Sequence, residues 1–244
     1  MDNAIWITWY DLPAMHREVY LSWVHDTYIP QVVARAGVSW AAHYAAEPEP
    51  TYAVNRGRPP RTADASVPGG TRFMLLFGAD TPHAFVNPTV AQFHAGLPHP
   101  ERSLLGLRMG VRSNIMIEQA CVLGPEDGAY AESSPCIQLG SYNSASYQDE
   151  DELADWHAQW NLASCEQAPG CVRARKWVSV SGWAKHAMMI EFESLTARNR
   201  HFVNYEAAYP DKAAWTEKVA RRLIHAPGSP SVARRIWPPG ASAV

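Results

Sequence analysis

An α+β chain made of two consecutive βαββαβ units is predicted by three features of the sequence. At a constant offset of 133 positions, Trp23 falls on Trp156, Gly37 on Gly170, Ala41 on Ala174 and Tyr44 on Trp177. In both copies a helix stops at a glycine, where the missing Cβ permits positive φ, and a strand of small and aromatic side chains follows. β-branched and aromatic runs such as IWITWY at positions 5–10 suit strands covered on both faces.

Taken in order, the first strand ends at Asp11, Leu12 and Pro13. The pattern over 14–36 carries Val19, Leu21, Trp23, Val24, Val32 and Val33 around much of its circumference, which predicts a largely covered helix. Pro30 lacks an amide proton and crowds the preceding turn, so a kink or restart is expected between Asp26 and Pro30. Leu21, His25, Tyr28 and Val32 fall in one sector, placing an imidazole and a phenol one turn apart, while Asp26 points roughly 100° away. The strand 38–44 puts Ser39, Ala41 and His43 on one face and Trp40, Ala42 and Tyr44 on the other.

Residues 47–70 are rich in Pro, Gly and Arg and predict a long loop, with an insertion at about 51–70 that is either a functional cover or a disordered excursion. A strand at 73–80, a helix at 81–96 interrupted by Pro88, and a strand at 111–118 complete the first unit, residues 1–120. A linker is expected over 121–135. The second unit, 136–244, repeats the pattern: strand 136–143, helix 149–168, strands 171–180 and 187–193, helix 211–225 and strand 231–237.

The chain has 244 residues, 47% hydrophobic, enough for two cores, and its formal net charge of −3 with scattered arginine pairs excludes a phosphate-tracking surface. Nucleic acid is therefore not expected as a partner. No apolar run reaches the roughly 20 residues of a membrane span and the amino terminus lacks a basic region with a cleavage site. A cytoplasmic protein without membrane contact is the expectation, and its four cysteines form no CxxC pair and read as reduced thiols.

No HxH, HxxxH or HExxH pattern occurs, so no metal is expected. GxSxG, GxGxxG and GxxxxGK[ST] are equally absent, which removes the usual nucleophile elbow and phosphate loops. The candidate catalytic residues are His25, His43, Tyr28 and Asp26, because an imidazole near its ordinary pKa moves protons at neutral pH and a phenol can steady a carbonyl oxygen. Ten tryptophans offer flat apolar surface. Trp9, Trp23 and Trp40, with His157, Trp160 and Asn161 of the second unit, are the candidate substrate-binding residues.

The run Trp23, His25-Asp26-Thr27-Tyr28-Ile29-Pro30, Ala36-Gly37 and Ala42-His43-Tyr44 resembles the signature of the EthD-like family of dimeric α+β barrels. Trp156, Pro169-Gly170, Arg173-Ala174-Arg175 and the MMIEFES strand carry the same resemblance in the second copy. It implies ferredoxin-like units whose antiparallel sheets form a pseudo-dimeric α+β barrel within one chain, with a homodimer also allowed. Family members commonly carry a histidine two positions before the proline. This chain has Tyr28 there, and the second copy has Asn161 with Ala163 in place of the proline, so that histidine's role does not transfer.

What the resemblance implies about activity is a cofactor-independent enzyme using His/Tyr acid-base chemistry on a small apolar or aromatic carbonyl-type substrate: a lyase, aldolase, cyclase or isomerase. The alternatives are a cofactor-free monooxygenase, a haem-dependent enzyme, and a non-catalytic binder holding an apolar ligand inside the barrel. The first unit is expected to hold the active pocket.

Overall fold

A computed structural model describes residues 3–48, 60–128, 133–202, 205 and 209–239. The first unit runs β1 (Ala4–Asp11), α1 (Arg17–Trp23), a π-helical segment (Val24–Tyr28), α2 (Ile29–Val33), β2 (Val38–Ala46), β3 (Phe73–Ala79), α3 (Val90–Gly96), α4 (His99–Leu105) and β4 (Met109–Leu123). The second runs β5 (Cys136–Ser144), α5 (Asp149–Trp156), a π segment (His157–Asn161), β6 (Cys171–Ser181), β7 (His186–Phe192), α6 (Leu195–Ala197), α7 (Pro210–Ala220), β8 (Leu223–His225) and β9 (Ser231–Trp237).

Strand order is β4-β1-β3-β2 in the first unit and β6-β7-β5-β9 in the second, all antiparallel. Two further pairings, β2 with β9 and β4 with β6, weld the sheets into a closed barrel, and β8 adds to β5 beside it. Closure removes the exposed edges that a lone ferredoxin-like sheet would present.

Alternation along each strand divides the side chains between two environments. Ile5, Ile7, Trp9, Trp40, Ala42, Tyr44, Met74, Leu76 and Trp177 pack together inside the barrel. Gly78 makes room there, since a Cβ at that position would lie 2.0 Å from Nε1 of Trp40. A polar seam crosses the same interior: Arg173 Nε meets Glu191 Oε1 at 2.6 Å, and the Arg112 guanidinium lies 4.6 Å from the Trp9 ring centre. A ligand inside the barrel was one expectation from sequence, but this side-chain plug occupies that space.

The other face of each sheet packs against that unit's helices, Trp6, Tyr10, Phe73 and Phe77 meeting Tyr20, Trp23, Tyr28 and Ile29 in the first unit. Both glycine stops take the left-handed conformation, Gly37 at φ 82° and Gly170 at φ 80°. The irregularity expected from Pro30 is a π turn, with Ile29 N–H bonding to the Val24 carbonyl. The second unit makes the same turn, Leu162 N–H bonding to His157 O at 3.0 Å, although it carries Ala163 where the first copy has proline. The wide turn therefore belongs to this position in the fold, and proline alone does not cause it.

Several elements differ from expectation. β4 continues through Leu123, pairing with Arg173 of β6, so the strand reaches into the segment read as a linker. The helix expected over 211–225 ends at Ala220 and a short strand follows, while α4 was not anticipated because Pro98 at its start reads as a break. Val19 is 62% exposed, so α1 is covered on one side only. Of the expected loop insertion, residues 51–59 lie outside the described residues. The described remainder is anchored, with Thr62 N–H bonding to His225 O and Gly70 N–H to Gly110 O.

Candidate active site

Between the first sheet and its helices lies a buried polar cluster. β1 presents Tyr10 and β2 presents His43 toward the helices, and the π turn brings His25 down to meet them. Tyr10 Oη lies 2.8 Å from His43 Nε2, and His43 Nδ1 lies 2.8 Å from His25 Nε2. Tyr10 and His43 are fully buried, whereas His25 is half-buried with Trp237 stacked at 6.3 Å. Among the described residues His25 Nδ1 has no hydrogen-bond partner. The three side chains form a chain of hydrogen bonds whose outer end approaches the surface.

A second pair lies in the same layer. Tyr28 Oη is 2.7 Å from His94 Nε2 on α3. Arg108 Nε donates to Tyr20 Oη, and its guanidinium sits 4.8 Å from the Tyr10 ring and 5.0 Å from the Tyr28 ring. Arg108 Nη2 is buried without a partner, so the aromatic faces hold a cation that could accept a further anionic contact.

Burial dominates the electrostatics. It holds His43 well below the ordinary imidazole range, with His25 and Arg108 adding to the effect, and it lowers His25 against the pull of Asp26. It raises the Tyr10 phenol well above its usual value and pushes Tyr28 up to about 12 despite Arg108. His94 is lowered to about 4 by burial and then by Arg108. At neutral pH the imidazoles are therefore uncharged and the phenols protonated.

The second unit carries a different set of groups in the corresponding layer. Lys176 stands where His43 stands, at the repeat offset, and Tyr142 pairs with His186 as Tyr10 pairs with Phe73. Tyr142 Oη lies 2.6 Å from His157 Nε2. Lys176 Nζ is 2.8 Å from His186 Nδ1, whose Nε2 is 3.0 Å from Glu150 Oε2.

His25 and His43 are thus brought together, and Tyr28 lies in the same core but bonds to His94. Asp26 is exposed and accepts a hydrogen bond from Ser22 Oγ at 3.0 Å. Trp23 packs in the helix layer, while Trp9 and Trp40 lie inside the barrel, on the face of the sheet opposite His43. His157 and Trp160 are buried in the second unit, and Asn161 Oδ1 is buried without a partner. Sequence reasoning missed Tyr10, Arg108 and His94. Tyr10 was open to discovery by alternation from Trp6 along β1; the other two depend on distant chain contacts.

A bowl of about 780 Å³ opens beside the first cluster, bounded by Arg17, Ala45, Arg61, Arg72 and Phe73 among others. Phe73 is shared, its ring centre 5.6 Å from those of both Tyr10, on which it stacks, and His43, to which it is tilted. Among the described residues no group of three His, Cys, Asp or Glu side chains converges as a metal site. In the first cluster the histidine nitrogen left for a haem iron would be Nδ1 of His25, since both nitrogens of His43 and Nε2 of His25 are engaged there. The cleft at His157 is about 180 Å³, below the roughly 300–1,000 Å³ of small-molecule sites. No described helix is long and apolar enough to cross a membrane.

No protein-family model and no curated protein sequence matches the chain. Solved structures do. An anthrone oxidase-like protein superposes with TM-score 0.59 at 11% identity, covering 100% of this chain and 97% of that one. A provisionally assigned monooxygenase from Fusobacterium nucleatum gives 0.58 at 9% identity, covering 96% and 92%. A chain provisionally assigned as a chlorite dismutase gives 0.52 at 10%, covering 97% and 96%. Over essentially its whole length, the chain has the fold of the dimeric α+β barrels, with both halves in one polypeptide.

Proposed function

We propose that the protein is a cofactor-independent oxygenase in which His25 removes a proton from an acidic C–H or O–H of a small aromatic carbonyl compound. The observation that carries this reading is the hydrogen-bonded chain from Tyr10 through His43 to His25. Such a chain holds protons in either direction. When Tyr10 accepts from His43 Nε2–H, His43 Nδ1 accepts from His25 Nε2–H, and the free Nδ1 of His25 is a base. Because burial keeps His43 neutral, the inner imidazole fixes the tautomer of the outer one, a role that a neighbouring group commonly plays for a catalytic histidine.

The substrate anion would form beside Trp237, whose indole offers a stacking surface, and near the field of Arg108. The bowl that shares Phe73 with the cluster has the volume of a small-molecule site, but neither His25 nor Trp237 bounds it, so the reading rests on the hydrogen-bonded chain. For an activated methylene the reaction balances with dioxygen as the oxidant, one methylene and one dioxygen giving one carbonyl and one water. A lyase, aldolase, cyclase or isomerase would share the proton transfer and omit the oxygen. The descriptions of the oxidase-like and monooxygenase-like structures lean toward oxygen, and none of the three neighbours named above is described as a lyase or isomerase.

An oxygen electrode with anthrone as probe tests this. One dioxygen consumed per anthrone, lost in folded His25→Ala, is the expected result. Product formed without oxygen uptake would replace the oxygenase with an isomerase or lyase, and no turnover of any carbonyl-activated aromatic would overturn the reading.

A further inference from the structure

The second unit holds groups that the chemistry above does not use. Lys176 is only 3% exposed, deep for a lysine, a residue rarely buried unless paired. Its Nζ donates to the Trp177 carbonyl at 3.1 Å and lies 2.8 Å from His186 Nδ1. Glu150 Oε2 accepts from His186 Nε2–H at 3.0 Å and from Lys185 Nζ at 2.6 Å, and Ser144 Oγ donates to Oε1.

This arrangement fixes the tautomer of His186: with Nε2–H given to the carboxylate, Nδ1 carries the lone pair that faces the lysine. A neutral amine at Lys176 has two N–H bonds, one for the Trp177 carbonyl and one for His186, and its lone pair is left over. An ammonium there would have a third N–H without a partner. A carboxylate that orients an imidazole, which in turn accepts a proton from a nucleophile, is the general logic of activated nucleophiles.

The three side chains line one cleft of about 180 Å³, together with His157 and the apolar Leu153 and Leu162. His157 is 4% exposed. Tyr142 Oη engages its Nε2, and the Asn161 side chain acts on the imidazole as a hydrogen-bonding neighbour. The cleft thus presents an amine and an imidazole base against an apolar wall, in a space suited to a few heavy atoms.

We propose that Lys176 is a nucleophile that forms an imine with a short-chain aldehyde or ketone bound in this cleft, with His186 as its proton acceptor and Glu150 as the group that orients His186. The amine lone pair attacks the carbonyl carbon, forming the C–N bond while the π pair moves to oxygen. His186 Nδ1 carries the two amine protons to the oxygen in turn: the first gives the carbinolamine, and with the second the C–O bond breaks, water leaves and C=N remains. Amine and carbonyl give imine and water, and no oxidant is required. Burial, outweighing Glu150, brings the Lys176 pKa to about 7, so a substantial fraction is neutral where exposed lysines near 10.4 are charged. This site is separate from the His25 chain, and loss of either leaves the other standing.

The experiment uses the full chain with butanal as probe and sodium cyanoborohydride to trap imines at pH 7, read by peptide mass mapping over time. Butylation at Lys176 at least tenfold faster than at the exposed Lys185 and Lys218 is expected. His186→Gln should slow that labelling severalfold and move its pH dependence upward, with His25-dependent turnover unchanged. Lys176→Met, checked for folding by circular dichroism, should abolish the fast phase. Labelling of Lys176 no faster than of the surface lysines overturns the proposal. So does a fast phase that persists in Lys176→Met.

Discussion

His25 and His43 meet ring to ring across the helix–sheet interface, Nε2 to Nδ1 at 2.8 Å, with ring planes 74° apart. One comes from a π turn and the other from the helix-facing side of a strand. This contact joins the buried Tyr10 hydroxyl to the surface, and loss of any member should be visible in turnover. His25→Ala is expected to lower kcat by about 10² to 10⁴, the usual contribution of a positioned base. Tyr10→Phe keeps the ring and removes only the terminal hydroxyl, so a smaller loss in steady-state kinetics is expected.

The pH profile follows from the direction of the His25 shift. Burial lowers its pKa below 6.5, and the neutral form is the base, so kcat/KM should be flat at neutral pH and fall only as pH drops through that lowered value. An acidic limb centred above 6.5 would mean that a different group is the base.

Stability should change in the same direction. His94 and His225 are lowered to about 4, and His157 to about 2, each chiefly by burial. Their unfolded forms bind protons near pH 6.5, so the neutral folded forms contribute stability above that pH. It is lost as pH falls from 6.5 toward the folded values, by on the order of 1.4 kcal/mol per pH unit for a fully buried group such as His157. Urea midpoints measured at pH 7, 6 and 5 should decline in that order.

Tyr28 and His25 separate experimentally. Tyr28 bonds to His94 and is held protonated by burial, so Tyr28→Phe removes a hydrogen bond to a half-buried acceptor at a cost of about 0.5–1.5 kcal/mol. Chemical denaturation should show that loss while deprotonation by His25 continues.

Inside the barrel, Gly78→Ala would drive a methyl group into the Trp40 indole, and overpacking of this kind costs about 1–3 kcal/mol. Glu191→Ala would break the buried ion pair with Arg173, with an expected loss of about 3–5 kcal/mol. Thermal or urea unfolding of the two variants measures both effects.

The repeat, the glycine stops and the strand alternation were all legible in the sequence, because each is a local property of backbone and period. Alternation placed His43 and Trp40 on opposite faces of β2. It did not say which face met the helices, and so Trp9 and Trp40 read as pocket residues although they plug the barrel. The π turn also escaped: one extra residue in the turn sends His25 to His43 and Tyr28 to His94, where ordinary helical spacing put both on one stripe. Lys176 was within reach, since the repeat offset lays it on His43, but Glu150 and His186 reach it only through sheet pairing and helix packing.

Whether His25 takes a proton from carbon is tested most directly by deuterium exchange, without oxygen. Anthrone incubated anaerobically in heavy water with the enzyme should exchange its methylene protons far faster than in buffer, and folded His25→Ala should remove that acceleration. Exchange at the same rate in His25→Ala, or no acceleration by the unaltered protein, would contradict it.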